Sequence, residues 1–178
     1  TGVYEFHLSY GEALSSSLKQ YLDLVDSDDV ISIHLPDYLE GNRIINPIAN
    51  DAQTRADSRH LVNATLEFAK LISEKTQREV PIVASFSQLE TASKVQTYDS
   101  LFEYLGSVDS PNYQILPQWL PVYAWYFGGS VKLDMFTTAE DMNYLIKHNV
   151  DICLDLCHLK LSTNYYDESF WEAFEKLK

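Results

Sequence analysis

The segment DVISIHLP, residues 29–36, decides the fold class because it is a nearly continuous apolar run that ends in polar residues. Strands that are covered on both faces of a parallel sheet have this composition. A polar loop over residues 37–57 follows, and an amphipathic helix comes next, with apolar positions at helical spacing from Val62 to Ile72. The segment therefore predicts a buried strand that leads through a loop into a helix.

The same unit of strand and helix recurs along the chain. Further strands are predicted over residues 3–10, 80–86, 113–121 and 150–157. Helices are predicted over residues 14–25, up to Gly106, between Thr137 and Asn149, and from about residue 167. Strands that alternate with helices pair in parallel through right-handed crossovers, so we expect a single α/β domain over residues 1–178.

Two architectures fit about five such units, an open doubly wound sheet and a piece of a (β/α) barrel. No glycine-rich phosphate loop follows a predicted strand, which disfavours a doubly wound nucleotide-binding sheet. An eight-stranded barrel needs about 250 residues, and this chain has 178. A barrel of this length would be partial or truncated. Its open sheet edges would need a cover, such as a second copy in a homo-oligomer or a further segment.

The composition disfavours two classes of partner. The net charge is -13, whereas nucleic acids and anionic membranes bind positively charged surfaces. The apolar runs are also shorter than the roughly 18 residues of a membrane span. Cys153 and Cys157 stand too far apart on one extended segment to form a disulfide, so we interpret them as reduced thiols of a cytoplasmic protein.

Polar side chains follow the predicted strands, at the edge where α/β folds place their sites. Among them are His34 after the second strand, Asp37 a little further on, Ser85, Ser87 and Gln88 after the third, Gln118 and Trp119 after the fourth, and Asp155 and His158 after the fifth. Imidazole and carboxylate groups suit zinc, manganese or iron. His34, Asp155 and His158 therefore form a candidate metal site. The alternative is that Asp155 caps a loop and His34 is a satisfied strand-end histidine.

Three arginines lie close together in this acidic chain, at positions 43, 55 and 59. Arg43, Arg55 and Arg59 predict a small anion site, because a guanidinium group binds phosphate or carboxylate through two parallel hydrogen bonds. Scattered and solvated charge is the alternative interpretation.

Two segments resemble the xylose-isomerase-like TIM barrels, a superfamily that includes sugar-phosphate isomerases and epimerases and endonuclease IV. They are HLPDYLEGNRIINPIANDAQTRADSRHLVNATLEFAKLI, which begins at His34, and ICLDLCHLKLSTNYYDESF, which begins at Ile152. The first resembles the His-x-Pro strand end, Asn-rich loop and Ser-led helix of that superfamily, and the second resembles its Asp-x-x-His metal motif. The resemblance implies a TIM-barrel-type fold in which His34, Asp155 and His158 bind one divalent metal, Mn, Zn, Mg or Fe.

The resemblance also has implications for substrate and catalysis. Gln118 stands where the family strand ends in a metal-binding glutamate, and it would occupy a catalytic position. The substrate, a small sugar or sugar phosphate, would contact Arg43, Arg55, Arg59 and Trp119. For Trp119, core packing is the alternative. The segment FGGSVKLDMF, residues 127–136, is expected to form a loop over the barrel mouth.

Three functions are compatible with these residues. The first is a metal-dependent sugar or sugar-phosphate isomerase or epimerase that works by metal-assisted proton transfer. The alternative is a decayed, non-catalytic barrel that has lost its metal and binds a sugar or serves within a larger multidomain biosynthetic protein. Gln118 favours this alternative, as does Ser85–Phe86–Ser87, which stands where endonuclease-IV-like members have a histidine. The third, an endonuclease IV-like DNA repair nuclease, is disfavoured by the acidic charge.

Overall fold

The computed structural model describes residues 2–87 and 93–178, so Gln88 lies outside the described part. The strands are β1 (Val3–His7), β2 (Val30–His34), β3 (Tyr38–Leu39), β4 (Arg43–Ile44), β5 (Val80–Ala84), β6 (Tyr113–Pro117), β7 (Tyr123–Tyr126) and β8 (Gly129–Lys132). The helices are α1 (Tyr10–Ala13), α2 (Ala52–Thr76), α3 (Lys94–Ser107), α4 (Ala139–His148), α5 (Leu156–Tyr166) and α6 (Phe170–Leu177). A 3-10 helix spans Leu18–Leu24, where the sequence predicts an α-helix. The predicted α/β class is confirmed.

Four strands form one parallel sheet in the order β1-β2-β5-β6, which is also their order along the chain. The register aligns His7 with His34, His34 with Val83, and Val83 with Leu116. A doubly wound sheet reverses its strand order at the point where it binds ligands. These four strands follow one another across the sheet without a reversal. Right-handed crossovers between them therefore place successive helices on the same face.

The two faces of the sheet differ in burial. Ile33 and Ile82 are buried on the face that packs against α2. On the opposite face Glu5 is exposed, its register partner Ser32 is half-exposed, and so is Gln114 on β6. The sheet therefore has a helical side, which holds the core, and an opposite, open side on which polar residues alternate with apolar ones such as Val30 and Val83.

The fifth predicted strand is the main correction to the secondary structure. Cys153 makes a single parallel bridge to Gln118, and α5 begins only three residues later. Asp155 is the N-cap of α5, and its carboxylate accepts hydrogen bonds from the backbone N–H groups of Cys157 and His158. Such a cap satisfies the free N–H groups of the first helical turn, so a helix replaces the rest of the strand. The bridge still places this segment beside β6, in the fifth position of the sheet order.

The helix ends follow local capping rules. Thr138 and Asp141 form the reciprocal capping box of α4, one residue later than the sequence predicts. Asn149 ends α4 in the left-handed conformation, as expected. Asp167, predicted to begin the last helix, instead ends α5, and α6 begins at Phe170. Within residues 2–87 and 93–178, no helix combines the length and apolar character that a membrane span needs.

Two short hairpins follow β2 and β6 at the carboxyl ends of the parallel strands. β3 pairs with β4, and β7 pairs with β8, both antiparallel. The second hairpin occupies part of the segment that is expected to be a loop, and it turns at Phe127 and Gly128, whose φ angles are 53° and 82°. The rings of Tyr38 and Phe127 lie 5.0 Å apart. The two hairpins therefore contact each other beside the strand ends.

Candidate functional site

A series of hydrogen bonds crosses the carboxyl ends of the parallel strands. The Ser85 hydroxyl, after β5, donates to Gln118 Oε1 over 3.0 Å, and Gln118 Nε2 donates to Asp155 Oδ2 over 3.4 Å. Asp155 Oδ1 accepts from the backbone N–H groups of Cys157 and His158. Segments that are distant in sequence thus bring their polar side chains to one edge of the sheet.

Two histidines at this edge share the same tautomer. His34 Nδ1 lies 3.0 Å from the carbonyl oxygen of Leu35, and His158 Nδ1 lies 3.0 Å from that of Trp119. A carbonyl oxygen only accepts hydrogen bonds, so each Nδ1 carries the hydrogen, and each Nε2 keeps its lone pair when the ring is neutral. Metal-binding imidazoles are held in this way. Both Nε2 atoms are therefore suited to act as a metal ligand or as a base.

Asp37 supplies a largely buried carboxyl group at this edge, and the predicted metal set did not include it. Burial raises its pKa, and this effect outweighs the opposing influence of His34, the Ser85 hydroxyl, His7 and His158. Its Oδ1 atom is buried and has no hydrogen-bond partner among the described residues. A carboxyl group with a raised pKa beside imidazoles is a candidate general acid or base. The available sequence signal is the spacing in HLPD, where the carboxyl follows a strand-end histidine by three residues.

His7 extends the group of imidazoles toward the open edge of the sheet. Its ring stacks on that of His34 with 4.7 Å between the centroids. Its Nε2 atom contacts the carboxylate of Glu5, and its side chain is 68% exposed. The pairing of β1 with β2 produces the stack, because the two histidines are register partners on one face of the sheet.

The donor types at this edge suit a divalent transition metal. Among residues 2–87 and 93–178, however, no three His, Cys, Asp or Glu side chains form a ready cluster for a metal ion. Asp155 is engaged as the cap of α5, whereas His34 and His158 keep their Nε2 atoms available. If an ion binds, these three side chains are the ones that would hold it, with Asp155 shared between the helix and the ion.

Gln118 uses both ends of its amide group. Its oxygen accepts from Ser85, and its nitrogen donates to Asp155. A glutamate at this position would bring a second carboxylate close to Asp155, and two such groups retain a proton or bind a cation. Compared with a glutamate, the amide of Gln118 leaves the site with one negative charge fewer. It also makes a hydrogen bond to Asp155 where a glutamate would repel it.

Each of the three arginines is engaged by an acceptor of the protein itself. Arg55 and Arg59 donate to backbone carbonyl oxygens of residues 47–50, in the loop that leads into α2. Arg43 forms an ion pair with Asp57, with 2.7 Å between Nη2 and Oδ2. Two of the three guanidinium groups thus hold the loop, and Arg43 lines a groove beside the hairpins.

Trp119 is a further correction. Its side chain is buried, with 1% of the residue exposed, and its Nε1 donates to the Ser162 hydroxyl over 3.1 Å. The indole therefore packs in the core and presents no face to a sugar. Trp119 contributes to the site through its backbone carbonyl, which orients the His158 ring.

The fold and the site define an α/β protein with a group of imidazoles, carboxyl groups and one amide at its strand ends. No family model matches the chain, and no curated protein or solved structure matches it either. The resemblance to xylose-isomerase-like barrels therefore depends on the two quoted segments alone.

Proposed function

We propose that the chain is a partial (β/α) barrel of the xylose-isomerase-like type that isomerises or epimerises a small sugar or sugar phosphate with one divalent metal. One observation carries the proposal. The Nε2 lone pairs of His34 and His158 share a strand-end site with the buried carboxyl group of Asp37. Isomerisation of a sugar requires proton transfer and polarisation of a carbonyl group, and these groups suit both tasks.

The sheet supports the barrel part of the proposal. Its strands follow chain order, and α2 packs on one side. In a closed barrel the other side becomes the filled interior. The open side here includes half-exposed polar residues such as Ser32 and Gln114 as well as the buried Val83. A second copy or a further segment that extends the sheet from β1 would enclose this side.

In the proposed reaction the Asp37 carboxylate transfers a proton between two neighbouring carbon atoms of the sugar. When bound, the metal would polarise the carbonyl and hydroxyl oxygens of the sugar. His34, Asp155 and His158 would hold it. Asp37 takes the proton from the carbon beside the carbonyl and returns it to the adjacent carbon, while a second proton passes between the two oxygens. This exchange converts an aldose into a ketose. The raised pKa of Asp37 favours the first step, because its carboxylate is a stronger base than a solvated one.

A non-catalytic sugar-binding barrel is the second candidate, and Gln118 is the observation that favours it. The amide joins Ser85 and Asp155 by hydrogen bonds. The strand ends are held together in this way without any ion. In such a protein the same edge would bind a sugar and leave it unchanged.

We further propose that the protein belongs to the cytoplasm. Cys153 and Cys157 are both free thiols. Burial raises the pKa of the Cys153 thiol, so it stays protonated and unreactive.

Proton exchange tests the proposed reaction directly. The protein is loaded with Mn²⁺ and incubated in D₂O with a panel of aldoses, ketoses and their phosphates, and deuterium incorporation beside the carbonyl is followed by NMR. We expect exchange with at least one sugar, and loss of exchange in Asp37→Asn. Exchange that persists in Asp37→Asn would contradict the role of this carboxyl group, and sugar binding without exchange would favour the second candidate.

A further inference from the structure

A groove of about 530 Å³ lies between the two hairpins and the first turn of α2. Its volume falls in the range of small-molecule sites. Ser87 on its wall follows Ser85 by two residues, and Ser85 belongs to the strand-end site. The groove is therefore a neighbour of that site, but it is lined by a different set of side chains.

The charges of the groove nearly balance. Arg43 and Lys132 line it together with Asp51 and Asp134. Arg43 is already paired with Asp57. Lys132 and Asp134 are exposed, and neither has a side-chain partner among the described residues. A dianionic phosphate needs an excess of positive charge, which this groove lacks. The ammonium of Lys132 and the carboxylate of Asp134 line the same groove, and they offer a donor and an acceptor for hydroxyl groups.

A buried hydroxyl on the wall has no hydrogen bond of normal geometry. Ser87 is 1% exposed, and its Oγ lies beside the phenol of Tyr126 without a described partner. Buried polar atoms in folded proteins nearly always have a partner. A ligand hydroxyl or an ordered water that enters the groove would supply one.

Phe127 provides an apolar surface at the rim. Its ring is 48% exposed and lies 5.0 Å from that of Tyr38. Its backbone is in the left-handed region, with φ of 53°, which bulky residues seldom occupy. The turn with Gly128 thus holds an aromatic ring at the edge of a polar groove.

From this combination we infer that the groove binds an uncharged saccharide, with Phe127 against the sugar ring and Lys132, Asp134 and Ser87 on its hydroxyl groups. The choice of a sugar rests on the proposed function. The groove itself contains none of His34, Asp37, Asp155 and His158. Binding can therefore be measured while the strand-end site is disabled.

The test is an NMR titration of the ¹⁵N-labelled chain with D-xylose, D-glucose and glucose 6-phosphate. We expect a neutral sugar to shift the amide signals of residues 127–134, and glucose 6-phosphate to bind no more tightly than glucose. Phe127→Ala should weaken binding by about fivefold, since a stacked ring contributes about 1 kcal/mol. Trp125→Ala is the matched control, because Trp125 is 73% exposed on the same hairpin and lies outside the groove lining.

Asp134→Asn provides a second variant if Phe127→Ala does not fold, and it should also weaken binding. Tighter binding of glucose 6-phosphate would overturn the inference in favour of an anion site. Equal affinities of wild type and Phe127→Ala, or no shift with either neutral sugar, would also overturn it. Binding that survives in Asp37→Asn would uphold the groove independently of the strand-end site. Absence of exchange in the wild-type protein would reject the proposed reaction separately.

Discussion

At the scale of single residues, Gln118 decides the charge of the strand-end site. Its amide lies between a hydroxyl donor, Ser85, and a carboxylate acceptor, Asp155. The amide serves both neighbours at once, whereas an ionised glutamate has no donor for Asp155.

We predict that Gln118→Glu makes stability depend on metal. The new carboxylate beside Asp155 should lower the free energy of unfolding at neutral pH by about 1–3 kcal/mol, since a hydrogen bond is lost and like charges meet. Mn²⁺ or Zn²⁺ should recover the lost stability. Thermal melts with and without the ions measure this recovery. Gln114→Glu is the matched control, because Gln114 Nε2 donates to Asp151 at a distance of 2.8 Å, and Gln114 lies at the start of β6, whereas Gln118 follows its end. Equal responses of both variants to the ions would refute the proposed metal ligands.

The second prediction at this scale concerns Asp37 and pH. Its pKa is raised by burial in the folded state, so the ionised form costs stability, and the cost appears as pH rises from the unfolded pKa through the folded pKa. Asp37→Asn should therefore raise the free energy of unfolding more at pH 7 than at pH 4. Urea unfolding at the two pH values checks this. His34, His7 and His158 face this carboxyl group, so the comparison is repeated in His7→Gln. If Asp37→Asn gained less free energy of unfolding over wild type at pH 7 than at pH 4, the effect of burial would be refuted.

At the scale of elements, the start of α5 combines a structural and a proposed functional role. Asp155 caps the helix through two backbone N–H groups. The same segment provides the bridge at Cys153 and the ring of His158. Whatever the site binds, the helix end fixes where these groups lie.

We predict that the two roles of Asp155 separate in two variants. Asp155→Ala should cost about 1 kcal/mol of stability through loss of the cap, whereas Asp155→Asn should cost only a few tenths because asparagine caps equally well. Both should lose metal, since neither retains the carboxylate. Chemical denaturation measures the first effect and elemental analysis of protein purified without chelator measures the second. Full metal content in Asp155→Asn would show that the residue serves the helix alone.

At the scale of the whole molecule, the open edge of the sheet is the dominant feature. β1 pairs only with β2 among the described strands, and its residues Val3 and Tyr4 are 80% and 56% exposed. A parallel sheet is normally covered on its faces and edges. The charge of -13 opposes contact between copies.

We predict that the isolated chain self-associates through β1 and that salt strengthens the association by screening the charge. Light scattering after gel filtration, at low and high salt, should show a mass that rises with concentration. Tyr4→Lys should reduce it, whereas Leu24→Lys, at an exposed apolar residue outside the strand, should not. A monomer at every concentration and salt level would show that another segment or partner covers this edge.

The sequence alone determined the class of fold and the edge that carries the site. Apolar strands, amphipathic helices and caps are local patterns, and their alternation implies parallel pairing. Only the tertiary structure decided the rest. Cys153 makes one bridge before Asp155 caps α5, and the Trp119 indole donates to Ser162 in the core. Asp37 is largely buried, with His34, Ser85, His7 and His158 around it. The bond from Gln118 to Asp155 spans 37 positions of the chain. Burial and long-range hydrogen bonds of this kind depend on how elements pack, and no short pattern of residues encodes them.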